Sequence, residues 1–173
     1  MKKIICIMLI FCMLFSLCAC SSVDEEETTD SEAYLQSAPV LGAKIENEEN
    51  VGFYALTKNG EYAWTLIDEN GVETVYNHEG AFCLDFGDTL CTFTRKQTGG
   101  SVNLKFTGNV FSYKIYQAPR EEIENDRSKI IDDKYLISTS DKTITFPESG
   151  EYYYVVNVNY IEGEVPYGFL LSE

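Results

Sequence analysis

With 173 residues, the chain is long enough for one domain and a leader but short for two domains. Its 28 acidic residues against 13 basic ones leave a net charge of −15. That balance excludes phosphate-rich nucleic acid as a partner and disfavours lying flat on an anionic bilayer. Cationic partners fit it, divalent metal ions of a cell wall among them, and so does the plain solubility of an exposed protein.

The N-terminus opens with Lys2 and Lys3, followed by an uncharged run from Ile4 to Phe15. The run is short for a membrane span of about 20 residues and suits the apolar region of a signal peptide. Leu17-Cys18-Ala19-Cys20 comes next. It resembles the lipobox of bacterial lipoproteins, with an aliphatic residue three positions before a cysteine and small residues between. The resemblance implies that the Cys20 thiol receives a diacylglyceryl group and becomes the new N-terminus once residues 1–19 are cleaved. Two acyl chains suffice for stable anchoring where one binds only marginally. The resemblance thus implies a lipid-anchored protein on the extracytoplasmic face of the cell membrane, with the membrane itself as a partner through Cys20.

Residues 20–50 read as the lipidated cysteine and an acidic flexible linker. Asp24 to Glu32 has almost no apolar content, and a second acidic cluster lies at Glu46-Asn47-Glu48-Glu49-Asn50. Like charges extend such a segment. From Val51 the texture changes, and residues 51–173 read as the folded domain. Aromatic and β-branched residues alternate with polar ones between Gly, Asn and Asp clusters, which predicts strands over 61–67, 72–76, 89–94, 101–106, 110–117, 142–146, 151–161 and 164–171. Asp68-Glu69-Asn70-Gly71 is a hairpin turn, since Asn-Gly supplies positive φ readily. The stretch 120–133 has mixed charges and sparse apolar residues, and reads as a long connection with one helical turn. Many short strands with almost no helix predict an all-β antiparallel β-sandwich.

In the longest strand, period two puts Tyr152, Tyr154, Val156, Val158 and Tyr160 on the core face. The opposite face, with Tyr153, Val155, Asn157 and Asn159, is more polar and is expected to be wetter. The opening Gly150-Glu151-Tyr152-Tyr153-Tyr154 resembles strand F of immunoglobulin and fibronectin type III-like sandwiches. There a tyrosine turns its hydroxyl back to the backbone, and the resemblance makes Tyr152 the candidate for this tyrosine corner. No cysteine stands two residues on, so an antibody-type domain is excluded. The stretch from Gly60 to Leu171, with Gly60-Glu61-Tyr62-Ala63-Trp64 near its start and Tyr167-Gly168-Phe169 near its end, also resembles a loose group of uncharacterised lipoproteins of low-GC Gram-positive bacteria. Those motifs are aromatic core positions; they imply a fold and bring no activity.

Chemistry-bearing residues are few. Outside the leader and Cys20, only Cys83 and Cys91 remain, and in an extracytoplasmic domain they either pair as a disulfide or stand as two buried thiols. His78 is the only histidine, in a turn-like run that suits a solvated loop. With one His and two Cys at unmatched spacing there is no zinc site. Asp68 to Glu73 lacks the acidic twelfth position of a calcium loop, and the pair Asp85 and Asp88 carries no hydrolase signature by spacing alone. No cofactor or metal is implied. Twelve tyrosines and one tryptophan are many for this size. Trp64 is expected in the core, and Tyr113 and Tyr153 are the candidates for an exposed aromatic patch. The reading is a non-catalytic binding or structural module at the cell envelope, its partner an envelope protein or glycan. The alternatives are a carbohydrate- or small-ligand-binding module of an uptake system and an envelope hydrolase.

Overall fold

The computed structural model describes residues 37–46 and 51–173. The expected leader, the lipobox-like residues with Cys20 and the acidic stretch 24–32 lie outside the described residues. Twelve strands form two packed sheets and a separate ribbon. The first sheet has the order β10 (Thr143–Thr145), β7 (Ser101–Lys105), β1 (Gly42–Glu46), β2 (Val51–Ala55). The second runs β3 (Thr57–Lys58), β12 (Glu164–Ser172), β11 (Tyr152–Tyr160), β8 (Val110–Pro119), β9 (Leu136–Ser138), with β6 (Thr92–Thr94) also on β12. Pairing is antiparallel throughout except for β6 on β12. The β7–β10 pair on one sheet and β8–β11–β12 on the other follow the B–E and C–F–G paths of an immunoglobulin-like sandwich. The ribbon is the hairpin β4 (Tyr62–Ile67) and β5 (Glu73–His78), closed by the expected turn. In that turn Gly71 takes φ +78°, and Asp68 accepts the Asn70 and Val72 N–H groups.

The main core lies between the sheets. Ala43, Ile45, Val102, Leu104 and Ile144 face Tyr154, Val156, Val158, Tyr167 and Phe169 across it. The even-numbered side chains of β11 therefore point where period two places them. Tyr154 stacks on Phe169 at 4.6 Å, the two rings nearly parallel.

Three expectations are corrected. The folded domain does not start at residue 51, because β1 pairs with both β2 and β7 in the middle of the first sheet. Its sequence, Gly-Ala-Lys-Ile-Glu, alternates in burial but is too short to stand out beside the acidic cluster that follows. The odd-numbered face of β11 is not wet either. Tyr153 is 2% exposed, Val155 is fully buried and Asn157 is buried. A second core covers this face, built from Cys83, Leu84, Tyr116, Ile123, Ile130 and Tyr135. Most of its lid is the connection after β8, with α1 and α2 defined as Arg95–Thr98 and Arg120–Ile123; α2 and the 3-10 turns Arg127–Ile131 and Asp133–Tyr135 lie in that connection. Ile123, Ile130 and Tyr135 are few, but spaced so that each lands on the sheet. Tyr113 is also buried, packed on Phe106 at 4.6 Å. The expected patch of Tyr113 and Tyr153 is thus part of the interior.

Burial on both faces gives a testable contrast. Tyr153→Ala and Tyr154→Ala should each cost about 3–5 kcal/mol, the range for a deleted buried aromatic. Removing only the hydroxyl separates them. The Tyr154 hydroxyl is buried with no hydrogen-bond partner, so Tyr154→Phe should be neutral or stabilising by about 1 kcal/mol. The Tyr153 hydroxyl donates to Glu124 at 2.8 Å, so Tyr153→Phe should cost about 1–2 kcal/mol. Denaturant melts of the four variants check this, and a small loss in Tyr153→Ala would contradict the second core.

Candidate functional site

At one end of the sandwich, the connection between β7 and β8 and the turn between β11 and β12 come together, as loops do at the ends of this architecture. The segment 37–41 runs across this end and is fixed from several sides. Thr107 Oγ1 donates to the Val40 carbonyl at 2.8 Å. Tyr167 donates its hydroxyl to the Pro39 carbonyl at 2.6 Å, and the Tyr160 and Tyr167 hydroxyls lie 3.1 Å apart. Burial pushes the Tyr167 hydroxyl pKa up, so it stays a donor. Gly108 has φ +76°, and a Cβ there would lie 2.7 Å from the Pro39 ring, so only glycine lets the segment seat.

The ribbon closes the other side. The Thr65 N–H donates to the Glu162 carbonyl at 2.8 Å, and Gly163 packs so close to the Ala63 carbonyl that a Cβ would collide with it. At the base of the ribbon Gly60 and Gly80 touch; a Cβ on Gly60 would lie 2.6 Å from the Gly80 Cα. Trp64 and Leu66, on one face of β4, turn toward the sandwich, with Trp64 edge-on to Tyr160 at 5.3 Å. Trp64 is in the core as expected, but reaches it from the ribbon and not from a strand of either sheet.

Between these parts is a cleft of about 390 Å³. Pro39, Val40, Phe53, Trp64 and Leu66 give it apolar walls, and Phe53 is 57% exposed. Among the described residues, Glu162 is the one charged residue lining it. The Asn109 Nδ2 donates to Glu162 Oε1 at 3.2 Å, while Oε2 is buried with no hydrogen-bond partner. Apolar walls with a few polar groups among them are the usual make-up of a small-ligand pocket.

A second hollow of about 420 Å³ borders Arg120, Glu121, Glu124, Glu151 and Tyr152. Most of its charges are paired with one another. Arg120 pairs with Glu124 and Glu151, each at 3.0 Å, and Arg127 pairs with Glu124 at 2.8 Å. For the Glu124 carboxyl, burial pushes the pKa up, but hydrogen bonds from Arg120, Arg127 and Tyr153 outweigh it and hold the value at about 2. This network pins the outer layer onto the sheet, with the Arg127 Nε buried and unpaired within it.

The remaining candidates are placed as follows. Cys83 and Cys91 are free thiols that pack into different cores, Cys83 under one face of the β12 sheet and Cys91 against the other. Burial raises both thiol pKa values, that of Cys91 to about 11. His78 is not in a solvated loop. It ends β5, opposite Tyr62, and stacks on that ring at 4.3 Å. Asp85 pairs with Arg127 at 3.5 Å, and Asp88 sits in the 3-10 turn Gly87–Thr89. The Tyr152 ring lies over Gly150, and no hydrogen bond ties its hydroxyl back to the backbone, so no tyrosine corner forms there. The tyrosine that does reach a distant backbone carbonyl is Tyr167. Among the described residues, no group of three His, Cys, Asp or Glu side chains could hold a metal ion, and no helix is long and apolar enough to cross a membrane.

Comparison of the chain with protein-family models, with curated proteins and with solved structures finds no match. The cleft residues Phe53, Leu66, Thr107, Gly108 and Glu162 carry no motif. The only trace of them in the sequence is that Gly108-Asn109 and Glu162-Gly163 are turns of a predicted sandwich.

Two outcomes check this description. The Cys83 and Cys91 thiols should resist alkylation at pH 8 in the native protein and react fully once it is unfolded, because the reactive thiolate is scarce. A peptide pair cross-linked through Cys83 and Cys91, recovered without reductant, would contradict the arrangement. For Glu124, the folded pKa of about 2 lies below the ordinary 4.5, so its stabilisation is present above about pH 4.5 and lost as pH falls toward 2. The stability gap between wild type and Glu124→Gln should therefore close over that window in pH-dependent melts. A gap that stays constant would remove Glu124 as the titrating group.

Proposed function

We propose that this chain is a lipid-anchored module of the bacterial cell envelope, held on the extracytoplasmic face of the membrane through Cys20. Its sandwich is a non-catalytic binding module that captures a small ligand or a side chain of an envelope partner in the cleft between Phe53, Trp64 and Glu162. The single observation that carries the binding role is that cleft, with its apolar walls and its fixed backbone. The anchoring rests on Leu17-Cys18-Ala19-Cys20 behind a short apolar run. A non-catalytic role is favoured by the states of the candidate nucleophiles. Both thiols are buried and held protonated, and His78 is stacked on Tyr62 within the ribbon. A glycan reading is less favoured, because sugar platforms need flat exposed rings and here Phe53 alone among the cleft aromatics is exposed.

Both halves can be tested. Cys20→Ser should release the protein from membranes or leave the leader uncleaved, as fractionation and intact mass would show. Normal cleavage with unchanged membrane retention would overturn the anchor. For binding, soluble muropeptides, wall-polymer fragments and short envelope peptides can be titrated into the isotope-labelled protein. Amide shift changes should cluster at Val40, Phe53, Leu66, Thr107, Gly108 and Glu162. Changes confined to other surfaces, or none with any probe, would overturn the cleft as the binding site.

A further inference from the structure

We infer that the outer edge of β2 is a docking site for an extended, basic peptide segment, which adds to the four-stranded first sheet as a further strand. The edge works independently of the cleft proposed above, although Phe53 contributes to both, its backbone to the edge and its ring to the cleft wall.

The register decides which backbone groups are free. β2 pairs with β1 from Gly42 opposite Ala55 to Glu46 opposite Val51, and just beyond, the Leu56 N–H donates to the Leu41 carbonyl at 2.9 Å. Bonded and non-bonded pairs alternate along an antiparallel ladder. Leu41–Leu56, Ala43–Tyr54 and Ile45–Gly52 are therefore the bonded pairs. The N–H and C=O groups of Val51, Phe53 and Ala55 point away from β1. Among the described residues, no strand pairs with that side of β2, and no hydrogen bond outside the ladders uses those groups. All three residues are exposed. The Phe53 ring leaves the edge clear, because it leans back over Gly42 of β1, where a Cβ would lie 1.9 Å from it. The other edges are guarded. β3, β6, β9 and β10 have only two or three residues each, β4 is tied to Glu162 through Thr65, and β5 carries Glu73. Short length, charge, proline and bulges are the usual devices that keep an edge from pairing. β2 has five residues, Val-Gly-Phe-Tyr-Ala, in regular register, with no charge and no proline.

Charge selects the occupant. Glu46 lies opposite Val51 and pairs with Lys44. Glu48 and Glu49 follow in the sequence, and no further cation comes before Lys58. The chain leading into β2 is thus acidic even with Lys44 counted. A strand with Lys or Arg at the end beside Val51 meets that charge, and the net charge of −15 draws it in from further away. Main-chain bonds to the free groups then hold it. Two other occupants fit less well. A second copy would pair its own β2 about a two-fold axis at Phe53, but two chains of this charge repel each other. A five-residue edge alone also offers far less than the roughly 1,200–2,000 Å² that a stable interface buries. The chain's own stretch 24–32 is acidic and is repelled by the same carboxylates.

Amide hydrogen exchange reads the edge residue by residue. Isotope-labelled full-length protein in detergent can be mixed with the blocked peptide acetyl-Lys-Thr-Val-Thr-Val-Thr-Lys-amide, with its counterpart carrying Glu for both Lys, and with the lysine peptide N-methylated at every residue. In the free protein the Gly52 and Tyr54 amides should be protected and those of Val51, Phe53 and Ala55 should exchange readily. Saturating lysine peptide should slow the latter three at least about tenfold and leave Gly52 and Tyr54 as they were. The Glu peptide should bind at least about tenfold more weakly, and the N-methylated peptide should have no effect. Ala55→Pro removes a donor that the sheet does not use, so it should abolish the slowing while keeping the unfolding midpoint. Should that variant unfold, the N-methylated peptide still decides. Absent binding of the lysine peptide, slowing without the alternation, or equal affinity for the Lys and Glu peptides would overturn the site. Slowing that grows with protein concentration in the absence of peptide would assign the edge to a second copy instead. The cleft is judged separately, by the shifts of Leu66, Thr107 and Glu162 with envelope probes.

Discussion

The structure depends on burying both faces of the β11–β12 hairpin. Antiparallel strands usually show one face to water, yet nearly every residue from Tyr153 to Val158 is shielded on either side. One side rests on the first sheet, and the other is covered by the turns that follow β8 and by the segment around Cys83 and Leu84. Once this hairpin is sealed, its outer edge on β12 is left for β3 and β6 to share, one after the other along its length. β6 runs parallel to β12 and leads through α1 to β7 of the first sheet.

The cleft is a consequence of how the N-terminal segment is held against this hairpin. Tyr160 and Tyr167 face each other from adjacent strands, and their hydroxyls form a polar pair inside an otherwise apolar core. Such a pair requires an acceptor, and the Pro39 carbonyl supplies it. The segment 37–41 is thereby drawn over the loop end, and its Pro39 and Val40 become one wall. The ribbon β4–β5 becomes the other wall because Thr65 and Ala63 fasten it to the β11–β12 turn. Two independent attachments thus leave a gap between them, with Glu162 at the junction.

Two carboxylates show how context sets the role of the same side-chain type. Glu124 lies among Arg120, Arg127 and Tyr153, each donating to it, and it serves as a structural clasp between the outer layer and the sheet. Glu162 has only the Asn109 amide on one oxygen. The Glu124 clasp is complete within the chain, whereas Glu162 lines the cleft with a single amide donor on it. At the hollow beside Arg120, the Glu124 and Glu151 carboxylates are both held by the Arg120 guanidinium.

The sequence by itself determined the fold class, the ribbon and its Asn-Gly turn, the inward set Tyr154, Val156 and Val158, and the burial of Trp64. These depend on local rules: period two, positive φ at a turn, and the cost of exposing a large ring. It also carries Leu17-Cys18-Ala19-Cys20, whose resemblance to a lipobox is a purely linear signal. Only the tertiary structure decided which polar-looking face is covered. The fate of Tyr153 and Asn157 depends on Ile123, Ile130 and Tyr135, far away in the chain and too sparse to form a pattern. The tertiary structure likewise assigned β1 to the sandwich, separated Cys83 from Cys91 by a sheet, and gave the long-range tyrosine bond to Tyr167 instead of Tyr152. The cleft was illegible for the same reason. Phe53, Trp64, Gly108 and Glu162 come from four separate elements, and their proximity is fixed by hydrogen bonds and close backbone contacts that have no signature in the order of residues.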